Sequence, residues 1–331
     1  MVGFIPSPSS SQIHLGPLRL TAYGLMIALG VVASVEIARR RHAARGGDPE
    51  DFSQIGLWSV LAGMVGARLY HVATDYDRFR GNWGDAVKIW EGGLGIPGGL
   101  AAGVAVGLLV ARRRGMSAPY GLDIVAPAVP VAQAIGRWGN WFNQELFGGP
   151  TNLPWALRID AQHRPVGYEA QETYHPTFLY ESLWNLALAG FVIAVERRSK
   201  GRLRPGSLFA IYVAGYGIGR FWVESLRIDP AREVFGVRFN LLLAAVVAGL
   251  ALLWLLLRAR IVPAAPGDHP DSASDQPDND ADGDGDGDGD GDGDGDGTEG
   301  SDPDQSGGPL RIAVPMGHAD TDDEDTAVTP G

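Results

Sequence analysis

The chain has 331 residues, no cysteine and a formal net charge of −12, and 45% of its residues are hydrophobic. The absence of cysteine excludes disulfides, thiolate nucleophiles and cysteine-ligated metal sites. The charge is segregated: residues 261–331 hold 21 of the 39 acidic residues and one of the 27 basic ones, Arg311, so they carry −20 and residues 1–260 carry +8. The sequence therefore combines an apolar, slightly basic body with an acidic tail.

The acidic tail (residues 261–331) contains eight consecutive Asp-Gly repeats at residues 282–297. Few apolar residues accompany them, so the segment cannot bury enough surface to offset the entropy of ordering, and we expect it to be disordered. A calcium-binding repeat is the alternative, but the run lacks the regular apolar position of such repeats. At the other terminus, residues 1–17 show no basic start followed by an apolar core, so no cleavable signal peptide is predicted.

Seven apolar stretches of the body approach the ~20 residues that a membrane helix needs, which predicts an all-α polytopic membrane protein. They lie at about 18–38, 53–73, 94–111, 119–138, 177–195, 206–226 and 238–257. The fourth stretch contains three prolines and an aspartate. We therefore expect it to be kinked or partly re-entrant, which is tolerated only where protein or a cavity covers the freed backbone groups.

Basic residues follow alternate stretches. Fourteen of them come after the first, third, fifth and seventh stretches: Arg39, Arg40, Arg41, Arg45, Arg112, Arg113, Arg114, Arg197, Arg198, Lys200, Arg202, Arg204, Arg258 and Arg260. The loops between the other stretches are sparser in basic residues and mixed in charge. Because cytoplasmic loops are enriched in Lys and Arg, the N-terminus is predicted outside, and the C-terminus with its acidic tail inside.

This orientation places the unusual polar residues of the predicted spans near the outer membrane face. They are Tyr23, Arg68, His71, Arg137, Asn140, His175, Tyr180, Glu181, Arg220 and Glu224. A transporter or channel would instead distribute polar groups through the full membrane depth. A retinal protein would need a lysine in its last span, whereas the two lysines, Lys88 and Lys200, both fall in predicted loops. The pattern indicates a site at the outer face for a polar, anionic ligand.

The densest polar group lies at residues 136–148, GRWGNWFNQELFG, at the end of the fourth stretch. An arginine at membrane depth, such as Arg137, is costly unless it has a partner or a function. Its guanidinium fork matches two phosphate oxygens at once. Asn140, Asn143 and Glu145 either cap the helix end or hydrogen-bond a ligand. The loop that follows, about residues 141–174, is long enough to form a small outer head over this site.

Two further arginines leave alternatives open. Arg220 lies in the outer third of the sixth stretch, where it either binds a phosphate or pairs structurally with Glu224, four residues on. Arg68 either contributes to the same anion site or extends its side chain to the membrane surface. The glycines at residues 215–219 favour close helix packing before Arg220.

Taken together, these motifs resemble the bacterial prolipoprotein diacylglyceryl transferase family. Besides residues 136–148, the matching runs are YGLM at 23–26, GAR at 66–68, WEGGL at 90–94, HPTFLYE at 175–181 and YGIGRFWVE at 216–224. The resemblance covers about residues 1–260 and leaves out the acidic tail.

The resemblance implies a seven-span enzyme of the bacterial inner membrane with an outward-facing active site. It would move the sn-1,2-diacylglyceryl group of phosphatidylglycerol to the lipobox cysteine thiol of a preprolipoprotein, which yields a thioether and glycerol 1-phosphate. Its partners would be these substrates and the surrounding membrane lipids, and we expect no cofactor, metal or nucleic acid.

The resemblance also implies roles for particular residues. Arg137 would hold the lipid phosphate, and Arg220 would be a second essential arginine. Tyr23 and Glu145 match the family's catalytic positions. Further matches, expected to bind phosphatidylglycerol with Arg137, are Asn140, Gly148 and Glu224.

One position departs from the family pattern. Many members carry a histidine, proposed as a base, before a Gly-Gly pair, whereas Pro97 precedes Gly98 and Gly99 here. Proline cannot accept a proton. We therefore expect electrostatic catalysis by the arginines, which would also lower the pKa of the substrate thiol, with Glu145 or a water taking the proton. A non-catalytic protein that binds anionic lipid is the remaining alternative.

Overall fold

A computed structural model describes residues 3–15, 18–89, 92–234 and 236–258. Its helices are α1 (Ala22–Ala43), α2 (Pro49–Thr74), α3 (Tyr76–Phe79), α4 (Ile96–Arg113), α5 (Ala118–Val125), α6 (Ala128–Asn143), α7 (Thr177–Ser199), α8 (Ser207–Leu226) and α9 (Phe239–Arg258). The strands are β1 (Phe4–Ile5), β2 (Gln12–Leu15), β3 (Leu18–Thr21), β4 (Ala156–Arg158), β5 (Thr173–Tyr174), β6 (Glu233–Val234) and β7 (Val237–Arg238). Short 3₁₀ helices lie at Trp83–Val87 and Ala161–His163. The acidic tail lies outside the described residues, so its disorder stays a prediction.

Five described helices are long and apolar enough to cross a membrane: α1, α2, α4, α7 and α9. Their ends lie within five residues of the ends predicted for the first, second, third, fifth and seventh stretches. The apolar side chains of these helices are largely exposed on the protein surface, as expected for helices that face lipid. The prediction of a helical membrane protein is confirmed.

The fourth and sixth predicted stretches are also helical, but they differ from the other five. The fourth is divided into α5 and α6 at Ala126 and Pro127, where proline removes a backbone donor. The resulting α6 has 16 residues, which is short for a full crossing. The sixth is the single helix α8, which is made less apolar by Arg220 and Glu224.

The predicted start of the first span, at residue 18, was wrong. Residues Leu18–Thr21 form β3, which pairs antiparallel with β2. Helix α1 begins at Ala22, because the Thr21 hydroxyl oxygen accepts a hydrogen bond from the Gly24 N–H at 3.1 Å and caps the helix. Over four residues, an apolar pattern does not distinguish a strand from a helix.

Small residues set the distances between the helices. Helices α2 and α4 touch where a Cβ on Gly98 would lie 2.3 Å from the Gly66 carbonyl oxygen. Helices α8 and α9 touch where a Cβ on Gly217 would lie 2.8 Å from Ala248 Cβ. Such contacts are typical of helices packed in membranes, and they confirm the packing role predicted for the glycines of α8.

The loop between α6 and α7 forms a small sheet with the N-terminal strand, and its location as an outer head stays a prediction. Strands β1, β4 and β5 form a sheet in that order, with β1 parallel and β5 antiparallel to β4. Its buried cluster consists of Phe147, Leu157, Ile159, Tyr174 and Phe178. The N-terminal strand was not predicted to join it. We call residues 144–176 with β1 the head.

Polar contacts tie the helices together at their basic ends. Arg41 of α1 pairs with Glu196 of α7 at 2.7 Å and donates to the carbonyls of Asp123 and Ile124 at the end of α5. The Asp123 carboxylate in turn accepts the N–H of Gly206, at 2.7 Å, where α8 begins. These contacts hold α5 and fix where α6 and α8 start.

Candidate functional site

The turn after α6 presents Glu145. Gln144 (φ 52°) and Leu146 (φ 57°) adopt left-handed backbone, which is uncommon for residues other than glycine and clusters at functional sites. The Gln144 side chain fixes the turn, since its Nε2 donates to Asp160 Oδ2 at 2.7 Å and its Oε1 accepts from the Asp160 N–H at 2.9 Å. Glu145, between the two left-handed residues, is exposed.

Glu181 of α7 joins the two predicted arginines. Its Oε2 lies 2.6 Å from Arg137 Nε, and its Oε1 lies 3.3 Å from Arg220 Nη1. The Glu181 side chain is 7% exposed, whereas those of Arg137 and Arg220 are 21% and 17% exposed. Among the described residues, Arg137 Nη2 and Arg220 Nε donate no hydrogen bond. Both guanidiniums therefore keep donors for an anionic ligand.

Behind Arg220, the fully buried Glu224 gathers three guanidiniums. Arg220 Nη2 lies 2.8 Å from its Oε2, Arg238 Nη2 lies 3.0 Å from its Oε1, and Arg227 Nη1 lies 3.4 Å from its Oε2. Because solvent does not reach Glu224, a ligand bound at the exposed side of Arg220 would touch Arg220 and not this carboxylate. It fixes the direction in which the Arg220 guanidinium points.

Asp229, in the turn after α8, extends this group of charges. Its carboxylate accepts two hydrogen bonds from Arg227, at 2.7 and 3.0 Å, and lies 3.3 Å from Arg238. Burial alone would raise the pKa of the Asp229 carboxyl, but the hydrogen bonds and charge of Arg227 outweigh it and hold that pKa below its usual value. Asp229 is therefore ionised at neutral pH.

A chain of side chains connects Glu145 to Arg137. Asn140 Nδ2 donates to Glu145 Oε1 at 2.8 Å, and Asn140 Oδ1 accepts from Arg137 Nη1 at 3.4 Å. Asn143 Nδ2 also donates to Glu145, at 3.3 Å. The two amides contact Glu145 and not the backbone end of α6, so the geometry favours a polar site over simple capping.

Tyr23 and Gly148 border this network without an ion pair. The Tyr23 ring packs against Gly139 of α6, where a Cβ would lie 2.5 Å from Tyr23 Cδ2. A Cβ on Gly148 would lie 2.8 Å from His175 Cβ and 3.0 Å from the Leu226 carbonyl oxygen. Gly148 thus permits the start of α7 and the end of α8 to meet beside the turn that carries Glu145.

Arg68 makes a separate group of contacts, with the loop between α2 and α4. It is 8% exposed, and its guanidinium donates to four backbone carbonyls between α2 and α4. The acceptors are Asp85, Ala86, Gly92 and Gly93. The guanidinium also lies 5.5 Å from the centre of the Phe79 ring. The alternative of a shared anion site was wrong for Arg68: its described contacts include neither Arg137 nor Arg220, and its buried guanidinium fixes a loop.

The two histidines considered in the sequence have local partners. His71 Nδ1 lies 2.7 Å from Asp75 Oδ2, and His175 Nδ1 lies 3.2 Å from the Tyr180 hydroxyl oxygen. Burial lowers the pKa of His175 below its usual value, so it is neutral at pH 7. Pro97 lies in the first turn of α4, where its missing N–H is tolerated.

The network as a whole favours an anion. It combines four arginines, Arg137, Arg220, Arg227 and Arg238, with three carboxylates, Glu181, Glu224 and Asp229. A fourth carboxylate, Glu145, lies at the far end of the Asn140 chain, whereas Arg137 and Arg220 are the partly exposed guanidiniums that keep donors for an anion. Among the described residues, no group of three or more His, Asp or Glu side chains is arranged to hold a metal ion.

An apolar furrow of about 460 Å³ runs between α7, α8 and α9 and ends close to this network. Its lining includes Trp184, Leu188, Phe191, Ile218 and Leu252. Trp184 follows Glu181 by three residues and Ile218 precedes Arg220 by two, so at ~1.5 Å per residue the furrow begins ~3–5 Å along the helix axes from these two residues. Ile218 and Arg220 point to different sides of α8, because residues two apart on a helix do not share a face.

Sequence reasoning placed Glu181 at the outer face but gave it no role, and it missed Arg227, Asp229 and Arg238. A signal existed for Glu181, because an acidic residue inside an apolar stretch needs a partner. No such signal marked Arg227 and Arg238, which lie in short connecting segments and reach Glu224 only once α8 and α9 have packed together.

Comparison with known proteins identifies the family of this chain. Residues 10–257 match the family model described as prolipoprotein diacylglyceryl transferase. Three similar proteins carry the name phosphatidylglycerol–prolipoprotein diacylglyceryl transferase. The one from Frankia alni is 52% identical over 78% of this chain and 68% of its own length. Those from Streptomyces griseus and Cutibacterium acnes are each 48% identical, over 79% and 77% of this chain and 80% and 87% of their own lengths. The chain is therefore a member of the prolipoprotein diacylglyceryl transferase family.

Proposed function

We propose that this protein transfers the diacylglyceryl group of phosphatidylglycerol to the lipobox cysteine of preprolipoproteins and releases glycerol 1-phosphate. Family membership supports the reaction. The observation that carries the assignment of the site is the Glu181 carboxylate between Arg137 and Arg220. It holds two guanidiniums with free donors at one place, as binding a phosphodiester requires.

In our proposal the chain crosses the bacterial inner membrane seven times, with α5–α6 together and α8 as the additional crossings. The basic residues that follow α1, α4, α7 and α9 support a cytoplasmic location for those ends. The head and the arginine network, at the opposite helix ends, then face outward. The acidic tail is a disordered cytoplasmic segment in this arrangement.

Arg137 and Arg220 hold the lipid phosphate, with Asn140 and Gly148 beside it. Glu224 acts through Arg220, because its carboxylate is fully buried. One acyl chain lies in the furrow between α7, α8 and α9, which begins within about one helical turn, along the helix axes, of Glu181 and Arg220. Contacts with the furrow replace those that the acyl chain loses with membrane lipids, and they place the glycerol carbon at the arginine network.

The chemical step is a substitution at the glycerol carbon that bears the phosphate. The thiol loses its proton to Glu145 or a water, and its sulfur forms the S–C bond. The C–O bond to phosphate breaks, and its electron pair leaves with glycerol 1-phosphate. The phosphate gains negative charge as it departs, so fixed guanidiniums stabilise the transition state more than the ground state.

This scheme does not require a histidine at position 97. The positive charge of the arginines also raises the thiolate fraction of a bound cysteine, since a nearby cation lowers a thiol pKa from about 8.5. We assign to Tyr23, whose ring packs on Gly139 of α6, the donation of a hydrogen bond to the substrate.

A transfer assay read by mass spectrometry tests the proposal. Purified protein in detergent receives phosphatidylglycerol and a lipobox peptide, with Arg137→Ala as the control. A diacylglyceryl mass increment on cysteine that the control lacks supports the reaction and the role of Arg137. Lipid binding by folded protein without any increment would favour the alternative, a non-catalytic protein that binds anionic lipid.

A further inference from the structure

A pocket of about 370 Å³ opens beside Glu145. Its walls come from the turn at residues 143–147, from two residues of the head and from the turn after α8. The lining outside the first turn consists of His163, Pro165, Ile228, Asp229 and Pro230. None of the four network arginines lines this pocket. We call it the Glu145 pocket.

Both walls of the Glu145 pocket are fixed in place. On one side, the hydrogen bonds between Gln144 and Asp160 hold the left-handed turn. On the other side, Arg238 Nη1 donates to the carbonyls of Arg227 and Asp229, both at 3.0 Å. The same arginine pairs with Glu224, so the far wall is tied to the network that positions Arg220.

The charge of the pocket separates it from the arginines. Its ionisable lining groups are the carboxylates of Glu145 and Asp229 and the imidazole of His163. Asp229 is already paired with Arg227 and Arg238, whereas Glu145 accepts hydrogen bonds only from Asn140 and Asn143 among the described residues. The Glu145 carboxylate therefore repels an anionic phosphate and offers an acceptor to a neutral thiol or a peptide N–H. The remaining lining is largely apolar, from Leu146, Phe147, Ile228 and the two prolines. At the low end of the ~300–1,000 Å³ typical of small-ligand sites, the volume suits a short peptide segment.

We propose that the Glu145 pocket binds the acceptor peptide and places its cysteine thiol against the Glu145 carboxylate. The inference rests on the proposed function and adds the location of the second substrate. Asn140 hydrogen-bonds both Glu145 and Arg137, so the thiol and the lipid phosphate occupy the two ends of one hydrogen-bonded chain. Glu145, rather than a free water, then receives the thiol proton.

The chain has no cysteine, which permits disulfide trapping of the substrate thiol. A single cysteine is introduced by His163→Cys in the pocket wall, or by Val166→Cys as the matched control. Val166 lies in the same loop and is 93% exposed, so the control cysteine is the more accessible one. With a lipobox peptide under mild oxidation, we expect at least tenfold faster mixed-disulfide formation at position 163, competed by a Cys→Ser peptide. Equal rates, or no competition, would overturn the proposal.

A kinetic comparison provides the second test. His163→Trp fills the pocket mouth, and Gln162→Trp adds the same ring one residue away, outside the lining. We expect His163→Trp to raise the KM for the lipobox peptide about tenfold while the KM for phosphatidylglycerol stays unchanged. Gln162→Trp is expected to match the unmodified enzyme. A rise in the lipid KM instead would assign the pocket to lipid, contrary to our proposal.

The two proposals fail in different ways. If the unmodified protein and Gln162→Trp transfer no diacylglyceryl group, the proposed function itself is wrong. If both are active and His163→Trp has the same peptide KM, the function stands and the peptide lies elsewhere.

Discussion

Two groups of polar contacts at the ends of the helices use arginine in opposite ways. Around Arg68, four neutral backbone carbonyls accept nearly all the donors of one guanidinium. Around Glu181, two guanidiniums share a single carboxylate and keep donors unused. Arg68, Arg137 and Arg220 all satisfy the same sequence pattern, a basic residue near the end of an apolar helix. The partners, and not the position, separate an arginine that fixes a loop from arginines that keep donors for a ligand.

The largest expected effect is on activity, at Arg137 and Arg220. Removing either by an Arg→Ala change should lower kcat/KM by about 10³-fold, since loss of one transition-state donor costs about 10²–10³ and each guanidinium offers more than one. Arg→Lys should also be strongly impaired, because lysine keeps the charge but loses the fork. The mass-spectrometric transfer assay measures both. Near-normal turnover of Arg137→Lys and Arg220→Lys would contradict catalysis by the two guanidiniums.

Arg68→Ala should instead reduce stability. The change leaves several buried carbonyls without donors, at about 1–3 kcal/mol for each one that water cannot reach. We expect a clear drop in the midpoint of thermal unfolding in detergent, with turnover per folded molecule retained. Arg78→Ala, at an exposed arginine of the same segment, serves as the control. A stable but inactive Arg68→Ala protein would remove the distinction between the two groups.

Glu181→Gln should have an intermediate effect. The amide retains the shape of the carboxylate but loses the charge that holds Arg137 and Arg220 together. A charge-assisted hydrogen bond contributes about 1.5–3 kcal/mol, which corresponds to about 10- to 100-fold in kcat. Glu181→Asp should recover part of this rate if charge is what matters. An unchanged kcat in Glu181→Gln would show that the two arginines are positioned without it.

The smallest expected effect is a pH dependence of stability at His175. Burial lowers the folded-state pKa of this histidine below the value of about 6.5 in the unfolded chain. Its contribution is therefore complete above pH ~6.5 and is lost as the pH falls through the folded-state pKa, because the unfolded chain binds the proton more readily. Thermal unfolding measured between about pH 7 and pH 5 should show this loss. His175→Gln should flatten the profile, and an identical profile would exclude His175 as its source.

The fold was predictable where the pattern was long. Apolar stretches of about 20 residues fixed five membrane-length helices nearly to their ends, and the prolines of the fourth stretch marked the break between α5 and α6. The start of α1 was not predictable, because a run as short as Leu18–Thr21 pairs as a strand as readily as it begins a helix. The role of the N-terminal strand in the head also escaped prediction, since β1 pairs with a strand about 150 residues away.

The sequence alone determined that the chain is a helical membrane protein, that its tail differs in composition from its body, and which family its motifs match. These properties depend on composition and on local order along the chain. The tertiary structure decided which arginine binds which partner: Arg68 turns to backbone carbonyls, while Arg137 and Arg220 meet at Glu181. Pairing of charges in a medium of low dielectric depends on distances of a few ångström, and those distances arise only when α6, α7 and α8 pack against one another.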